Sequence, residues 1–298
     1  MAKLEIYFDD NLNRLRKIES STIQLIYIDP PFNTGKVQKR TQLKTVSDDD
    51  GDRIGFGNKR YKSIKLSTTG YNDSFDDFLG FIEPRIIEAK RILTANGSLF
   101  FHLDYREIHY CKVLIDKIFG RDSFINEIIW SYDYGARSKK KWSTKHDNIL
   151  WYAKDPNNYI FNYDEIDRIP YMAPSLVGEE KAKIGKTPTD VWWNTIVSPN
   201  GKEKTGYATQ KPLGILNRIV RIHSNSGDRL CDFFAGSGSF GEAAYRLGRN
   251  CLLVDNNPQA IDVMKKRFNN FNCIFLDDNN NEIITSTHSS DSLQGELL

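Results

Sequence analysis

The chain has 298 residues, with 41 Lys+Arg against 39 Asp+Glu and a formal net charge of +2. Its hydrophobic share is 39%, and no apolar run reaches the ~18 residues that a membrane-spanning helix needs. Charge this balanced does not mark a general polyanion binder, so any nucleic-acid contact must come from local basic patches.

The N-terminal stretch carries Asp9, Asp10 and Glu19 and no continuous apolar segment, so no secretory leader is expected. Residues 4–8 alternate as a strand, and Leu12, Leu15 and Ile18 fall at helical spacing. Residues 23–28 form a short apolar run that stops at Asp29-Pro30-Pro31. Paired prolines cannot continue a central strand, so the chain leaves the sheet there. Residues 36–73 are rich in Lys, Arg, Asp, Gly and Ser and have no period, which predicts a long mobile basic loop. Ser74 reads as the N-cap of a helix with Asp76 and Asp77 in its first turn, and Pro84 predicts a kink or restart within it. A buried strand at 98–103, a helix at about 105–119 and strands near 124–132 and 148–153 follow. This alternation predicts an α/β domain with a mostly parallel sheet.

Residues 155–204 lose the rhythm and hold Pro156, Pro170, Pro174, Pro188, Pro199 and Trp192-Trp193, which predicts an irregular insertion packed on the side of the sheet. The α/β pattern returns over 205–278, with helices opening at Pro212 and near Gly241 and strands at 230–234, 251–254 and 273–276. Residues 279–298 are Asn/Ser/Thr/Asp-rich and predict a disordered tail. Cys111, Cys231, Cys251 and Cys273 sit in apolar runs without CxxC spacing, which fits buried free thiols in a reducing cytoplasm rather than disulfides or zinc.

Two motifs carry chemistry. Asp232-Phe233-Phe234-Ala235-Gly236-Ser237-Gly238 joins a strand to a helix, and Gly236, Gly238 and Gly241 fit the G-x-G-x-x-G turn that lets backbone approach a ligand. Asp255 ends the next strand, where an acid can accept from both hydroxyls of a ribose. An adenosine-containing cofactor is therefore expected. A dinucleotide fits poorly, because too little chain follows Asp255 to build a second βαβαβ half. The other motif, Asp29-Pro30-Pro31-Phe32, places a carboxylate at a strand's C-terminal edge, where open α/β sheets bind ligands. A carboxylate and a fixed carbonyl can take both N–H bonds of an amino group and aim its lone pair at an electrophile. A neighbouring ring can stack on a planar base.

Together these residues resemble the permuted β group of amino DNA methyltransferases, which methylate N6 of adenine or N4 of cytosine from S-adenosylmethionine. The stretch from Tyr27 to Lys36 is also close to the modification subunits of type III restriction systems. The resemblance implies a three-layer, Rossmann-like class I methyltransferase fold, circularly permuted, with an inserted irregular region. It implies a catalytic half at 1–154, target recognition at 155–204 and a cofactor half at 205–278. Asp29, Pro30, Pro31 and Phe32 are the implied catalytic residues. Asp10, Thr209, Lys211, Asp232, Phe234, Gly236, Gly238 and Asp255 are the implied cofactor residues, with Thr209-Gln210-Lys211-Pro212 around the methionine end. No metal is implied. Lys36, Lys39, Arg40, Arg137, Lys139 and Lys140 are candidate contacts to double-stranded DNA. A homodimer and a cognate restriction endonuclease are implied partners, and cytoplasmic, nucleoid-associated localisation is expected. Asp rather than Ser at position 29 favours adenine over N4 of cytosine. An RNA or protein-amide methyltransferase and a nucleotide-binding dehydrogenase are the competing readings. The position of the glycine turn near the C-terminus counts against the dehydrogenase.

Overall fold

A computed structural model describes residues 2–47, 53–54, 60–73, 75–135, 137–198 and 201–283. In chain order these form β1 (Leu4–Phe8), α1 (Asn11–Lys17), β2 (Ile23–Ile28), β3 (Lys36–Ser47), β4 (Arg53–Ile54), β5 (Arg60–Asp73), α2 (Phe78–Ile92), β6 (Leu93–Leu103) and α3 (Ile108–Phe119). Then come β7 (Phe124–Ser131), β8 (His146–Ala153), α4 (Glu179–Ile184), β9 (Val191–Trp193), α5 (Leu213–His223), β10 (Arg229–Asp232), α6 (Ser239–Arg246), β11 (Asn250–Asp255), α7 (Pro258–Arg267) and β12 (Cys273–Leu276).

Nine strands make one sheet in the order β12-β1-β11-β10-β2-β6-β8-β7-β9, with β8 antiparallel to both neighbours and the remaining pairs parallel. β2 is buried along its whole length, as its apolar run requires. Its side chains alternate between two cores. Leu25 and Tyr27 face a cluster with α5, α6 and α7, while Ile26 and Ile28 face one with α1, α2 and α3. Helices on both faces of a mostly parallel sheet give the expected three-layer fold.

Cys231 of β10 pairs with Ile26 of β2, so the glycine turn and the Asp-Pro-Pro corner leave adjacent parallel strands at the same edge. Successive crossovers diverge there to opposite faces, and that divergence is the switch point at which such sheets open a crevice.

Several expectations need correction. Residues 36–73 are not an aperiodic loop: β3 and β5 pair antiparallel from Lys36–Asp73 to Ser47–Tyr61, with β4 beside β5, as a separate three-stranded sheet. Lys36, Lys39 and Arg40 fall on β3. Residues 48–52 and 55–59 of this stretch lie outside the described residues. Ser74 also lies outside them, and the α2 cap is Asp77, whose carboxylate accepts from the Gly80 N–H at 2.8 Å. Pro84 sits inside an unbroken α2. The 155–204 insertion is not wholly beside the sheet, because β9 extends it by pairing with β7. Residues 279–283 are ordered, where the Ile283 N–H donates to Phe275 O at 2.8 Å; 284–298 lie outside the described residues. All four cysteines are free thiols, and three of them are buried.

Candidate active site

Both motifs open into one cavity of about 390 Å³, lined among others by Asp29, Pro31, Phe81, Arg85, Tyr207 and Gly236. That volume lies within the range of small-molecule sites, about 300–1,000 Å³.

The Asp-Pro-Pro corner forms where β2 ends. Asp29 places one carboxylate oxygen, Oδ2, against the Lys211 ammonium. Its other oxygen, Oδ1, is buried and has no hydrogen-bond partner. A buried acceptor left unsatisfied costs about 1–3 kcal/mol, so this oxygen is poised to take a donor. Lys211 Nζ also lies 4.9 Å from the centroid of the Phe32 ring. Pro31 lines the cavity; Pro30 is buried and outside the lining, and Phe32 packs against the core and also lies outside the lining.

Behind the corner runs a buried polar chain. Tyr27 Oη is 2.7 Å from His102 Nδ1, His102 Nε2 is 3.4 Å from Asp147 Oδ2, and the Tyr132 hydroxyl donates to Asp147 Oδ1 at 3.1 Å. Burial pushes the Asp147 carboxyl upward, but His102, the Lys211 charge and Tyr132 outweigh it and hold the group below its ordinary value. Sequence reading missed this chain, because its members come from β2, β6, β8 and the residue after β7 and no local pattern links them.

The glycine-turn side of the cavity is built on β10 and β11. Asp255 Oδ2 accepts from the Gly236 N–H at 2.7 Å, and its Oδ1 accepts from the Asn257 N–H at 2.8 Å. Burial raises this carboxyl to about 6, against the pull of those two N–H groups. Each oxygen keeps a lone pair for a ligand hydroxyl. Asp232 is buried, accepts from the Phe234 N–H at 2.9 Å, and is pushed well up by burial and by the neighbouring carboxylates of Asp29 and Asp255. Gly236 has φ +49 and faces the cavity beside Tyr207.

Gly238 departs from its expected cofactor role. It lies outside the lining, and a Cβ there would stand 2.8 Å from Phe268 Cζ and 2.9 Å from Met264 Cγ. Its place is therefore one of packing and of a left-handed turn at φ +74. Gly241 likewise admits the Leu253 side chain, whose Cδ1 would be 2.5 Å from a Cβ.

Asp10, Thr209 and Lys211 line the cavity, together with Phe234 and Asp232. Asp10 caps α1 by accepting from the Asn13 N–H at 3.0 Å, and its other oxygen stands 3.6 Å from Arg85 Nη2. The Arg85 guanidinium lies 3.7 Å from the Phe81 ring centroid and donates through Nε to Asn11 Oδ1 at 2.7 Å. Arg85, Phe81, Asn11 and Tyr207 were not foreseen. Arg85 and Phe81 lie on the core face of α2, where their spacing signals burial rather than a binding wall.

Arg137, Lys139 and Lys140 are exposed and lie away from the cavity, on the connection between β7 and β8. Among the described residues, no group of three His, Cys, Asp or Glu side chains could hold a metal ion. No helix there is long and apolar enough to cross a membrane.

A family model described as DNA methylase, of the N6/N4 type, matches residues 23–266. The Type II methyltransferase M.HpaI of Haemophilus parainfluenzae is 28% identical over 267 residues, covering 88% of this chain and 74% of the relative. The DNA adenine methyltransferase YhdJ of Escherichia coli is 29% identical over 275 residues, covering 88% of this chain and 81% of the relative. The solved M1.HpyAVI–SAM complex has the same fold, with a TM-score of 0.56 at 20% identity over 89% of this chain and 99% of that one.

Proposed function

This chain belongs to the N6/N4 DNA methylase family, and from that premise we propose that it methylates N6 of adenine in duplex DNA, with Asp29 as the residue that orients the amine. It is an S-adenosylmethionine-dependent DNA methyltransferase. The observation that supports the finer reading is the buried, unpartnered Oδ1 of Asp29, which shares a cavity with the Gly236 turn.

The residues present suit the cofactor. Asp255 would hold its ribose hydroxyls, Phe234 and Asp10 would border its adenine, and Thr209 and Lys211 would meet its methionine end. When bound, S-adenosylmethionine supplies an electrophilic methyl group. Asp29 Oδ1 accepts one amine N–H, and the Pro30 carbonyl, fixed by the two proline rings, accepts the other. That pairing turns the nitrogen lone pair toward the cofactor side. Phe32, half-buried beside the Lys211 ammonium and outside the cofactor cavity, is assigned to stack on the base. Orientation of this kind supplies roughly 7–11 kcal/mol in well-aligned reactions. The base reaches the corner by leaving the duplex stack, at a cost of a few kcal/mol.

Adenine is favoured by the Asp at position 29 and by the likeness to an adenine methyltransferase. Residues 155–204 are assigned to target recognition, and Lys36, Lys39 and Arg40 on β3 to the DNA backbone. The Type II names of the relatives support a cognate restriction endonuclease, and a homodimer is the proposed assembly. The test is incubation of the protein with unmethylated genomic DNA and labelled S-adenosylmethionine, then nucleoside digestion and mass spectrometry. N6-methyladenine is expected; N4-methylcytosine would replace the adenine assignment, and no labelled base would refute the reading.

A further inference from the structure

We propose that Trp142 stacks on the bases of the bound duplex, beside the flipped nucleotide, at the tip of a basic loop anchored on phosphates by Lys139 and Lys140. The proposal rests on the function proposed above and adds a DNA contact to it.

The placement follows from strand register. Ile28 pairs with Phe101, His102 with Ile149, and Ile149 with Ile128, so Asp29 stands level with the middle of β7. β7 runs parallel to β6 and β2, and therefore its C-terminal end, Ser131, points toward the catalytic edge. The loop that follows emerges at that edge. At about 4.8 Å per strand, its two stems stand about 10 and 14 Å to the side of Asp29. A duplex whose base enters the corner must cross this ground.

The loop tip is a built structure. The Ser138 N–H donates to Ser143 Oγ at 2.7 Å, and the N–H groups of Lys140 and Lys141 converge on Ser138 Oγ at 3.1 and 3.3 Å. Lys141 leans back toward the end of β6, with Nζ 5.8 Å from the Tyr105 ring centroid. Arg137 is tied to Asp133 at 2.7 Å. The turn so formed exposes Lys139 and Lys140, and it exposes Trp142 to 97%. An indole given wholly to water gains nothing from the fold. Next to cations on the substrate side of a DNA enzyme, it matches the pairing of basic groove and aromatic platform that single-stranded and unstacked bases bind. The cations neutralise phosphates, and the ring replaces stacking lost when a base leaves the duplex.

The test uses the full chain, unmethylated genomic DNA and S-adenosylmethionine. Trp142→Ala is expected to raise the KM for DNA about ten- to hundredfold, as loss of one stacked base would. Its cofactor Kd and thermal midpoint should match wild type, since the side chain packs against nothing in the fold. Trp142→Phe should recover most of the loss. DNA should quench part of the wild-type tryptophan emission, and that part should vanish in Trp142→Phe. The Lys139→Ala/Lys140→Ala double variant should lower the slope of log affinity against log salt by nearly 2. Wild-type KM and quenching in the Trp142 variants would overturn the proposal, as would an unchanged salt slope in the double variant. Because quenching and salt slope report binding alone, they remain decisive even if the wild type transfers no methyl group, a result that would instead refute the function.

Discussion

Lys211 donates its ammonium to Oδ2 of Asp29, and so ties the segment before α5 to the Asp-Pro-Pro corner at the end of β2 across a sequence separation of 182. The contact holds one carboxylate oxygen and leaves the other buried without a hydrogen-bond partner, which in the proposed mechanism accepts from the amine. In that mechanism Lys211 serves both subsites, where the resemblance of its local motif implied only the methionine end.

Asp29→Ala should abolish methyl transfer to DNA, by at least about a hundredfold in kcat, the usual scale for removing a group that orients or stabilises the reacting centre. Cofactor binding should persist within a few-fold. Isothermal titration with S-adenosylmethionine and a methylation assay on the same preparation separate the two effects. Equal turnover in the variant would remove Asp29 from the mechanism.

Lys211→Met strands a carboxylate that keeps only 14% of its exposure. Breaking a fully buried pair costs about 3–5 kcal/mol, and the residual solvent access here reduces that to about 2. The thermal midpoint should drop by several degrees. In Asp29→Ala/Lys211→Met the two losses should fall short of additivity, and strict additivity in a double-mutant cycle would deny the coupling.

The Asp255 carboxyl titrates at about 6 in the fold, raised by burial, against about 3.9 in an unfolded chain. Between those values the native state holds the extra proton, so this group's contribution to the stability of the ligand-free protein falls as pH rises through that window. Cofactor affinity has the opposite trend, because an ionised acid accepts ribose hydroxyls better. The Kd for S-adenosylmethionine should rise as pH drops below 6, and Asp255→Asn should flatten that dependence while weakening binding throughout. A pH series of titrations on both proteins decides it.

Gly238→Ala should destabilise the fold by about 2–3 kcal/mol, combining strain at φ +74 with the clash against Phe268 and Met264. Gly35→Ala is the matched control: its φ is +68, but nothing lies within 4 Å of its Cβ, so only the backbone penalty of about 1 kcal/mol applies. Urea denaturation of the two variants measures the difference. Equal losses would mean that packing at Gly238 contributes nothing.

Local pattern was enough to locate the two motifs, since each joins a recognisable strand to a break in it. β2 announces itself as an unbroken apolar run, and the Gly236 turn by residues that must adopt positive φ. What escaped reading is what depends on distant partners. β3 and β5 carry too many charged and polar residues to look like strands, yet they pair with each other. β9 is three residues long and is defined only by its neighbour β7. Arg85 shares the helical spacing of the buried residues of α2, and only its contacts with Asn11 and Phe81, brought together by the fold, show it as a wall of the cavity. The Tyr27–His102–Asp147 chain has no signature below the level of the assembled sheet.

β1 pairs with both β11 and β12, so the first strand of the chain is wedged between two of the last. During synthesis β1 must wait, unpaired, until β11 and β12 have left the ribosome. β2, β6, β8 and β7 have no such delay. The β12-β1-β11 side of the sheet should therefore be the last to consolidate, and a ribosome stalled after β8 should display a partly formed sheet whose protease-sensitive end is β1.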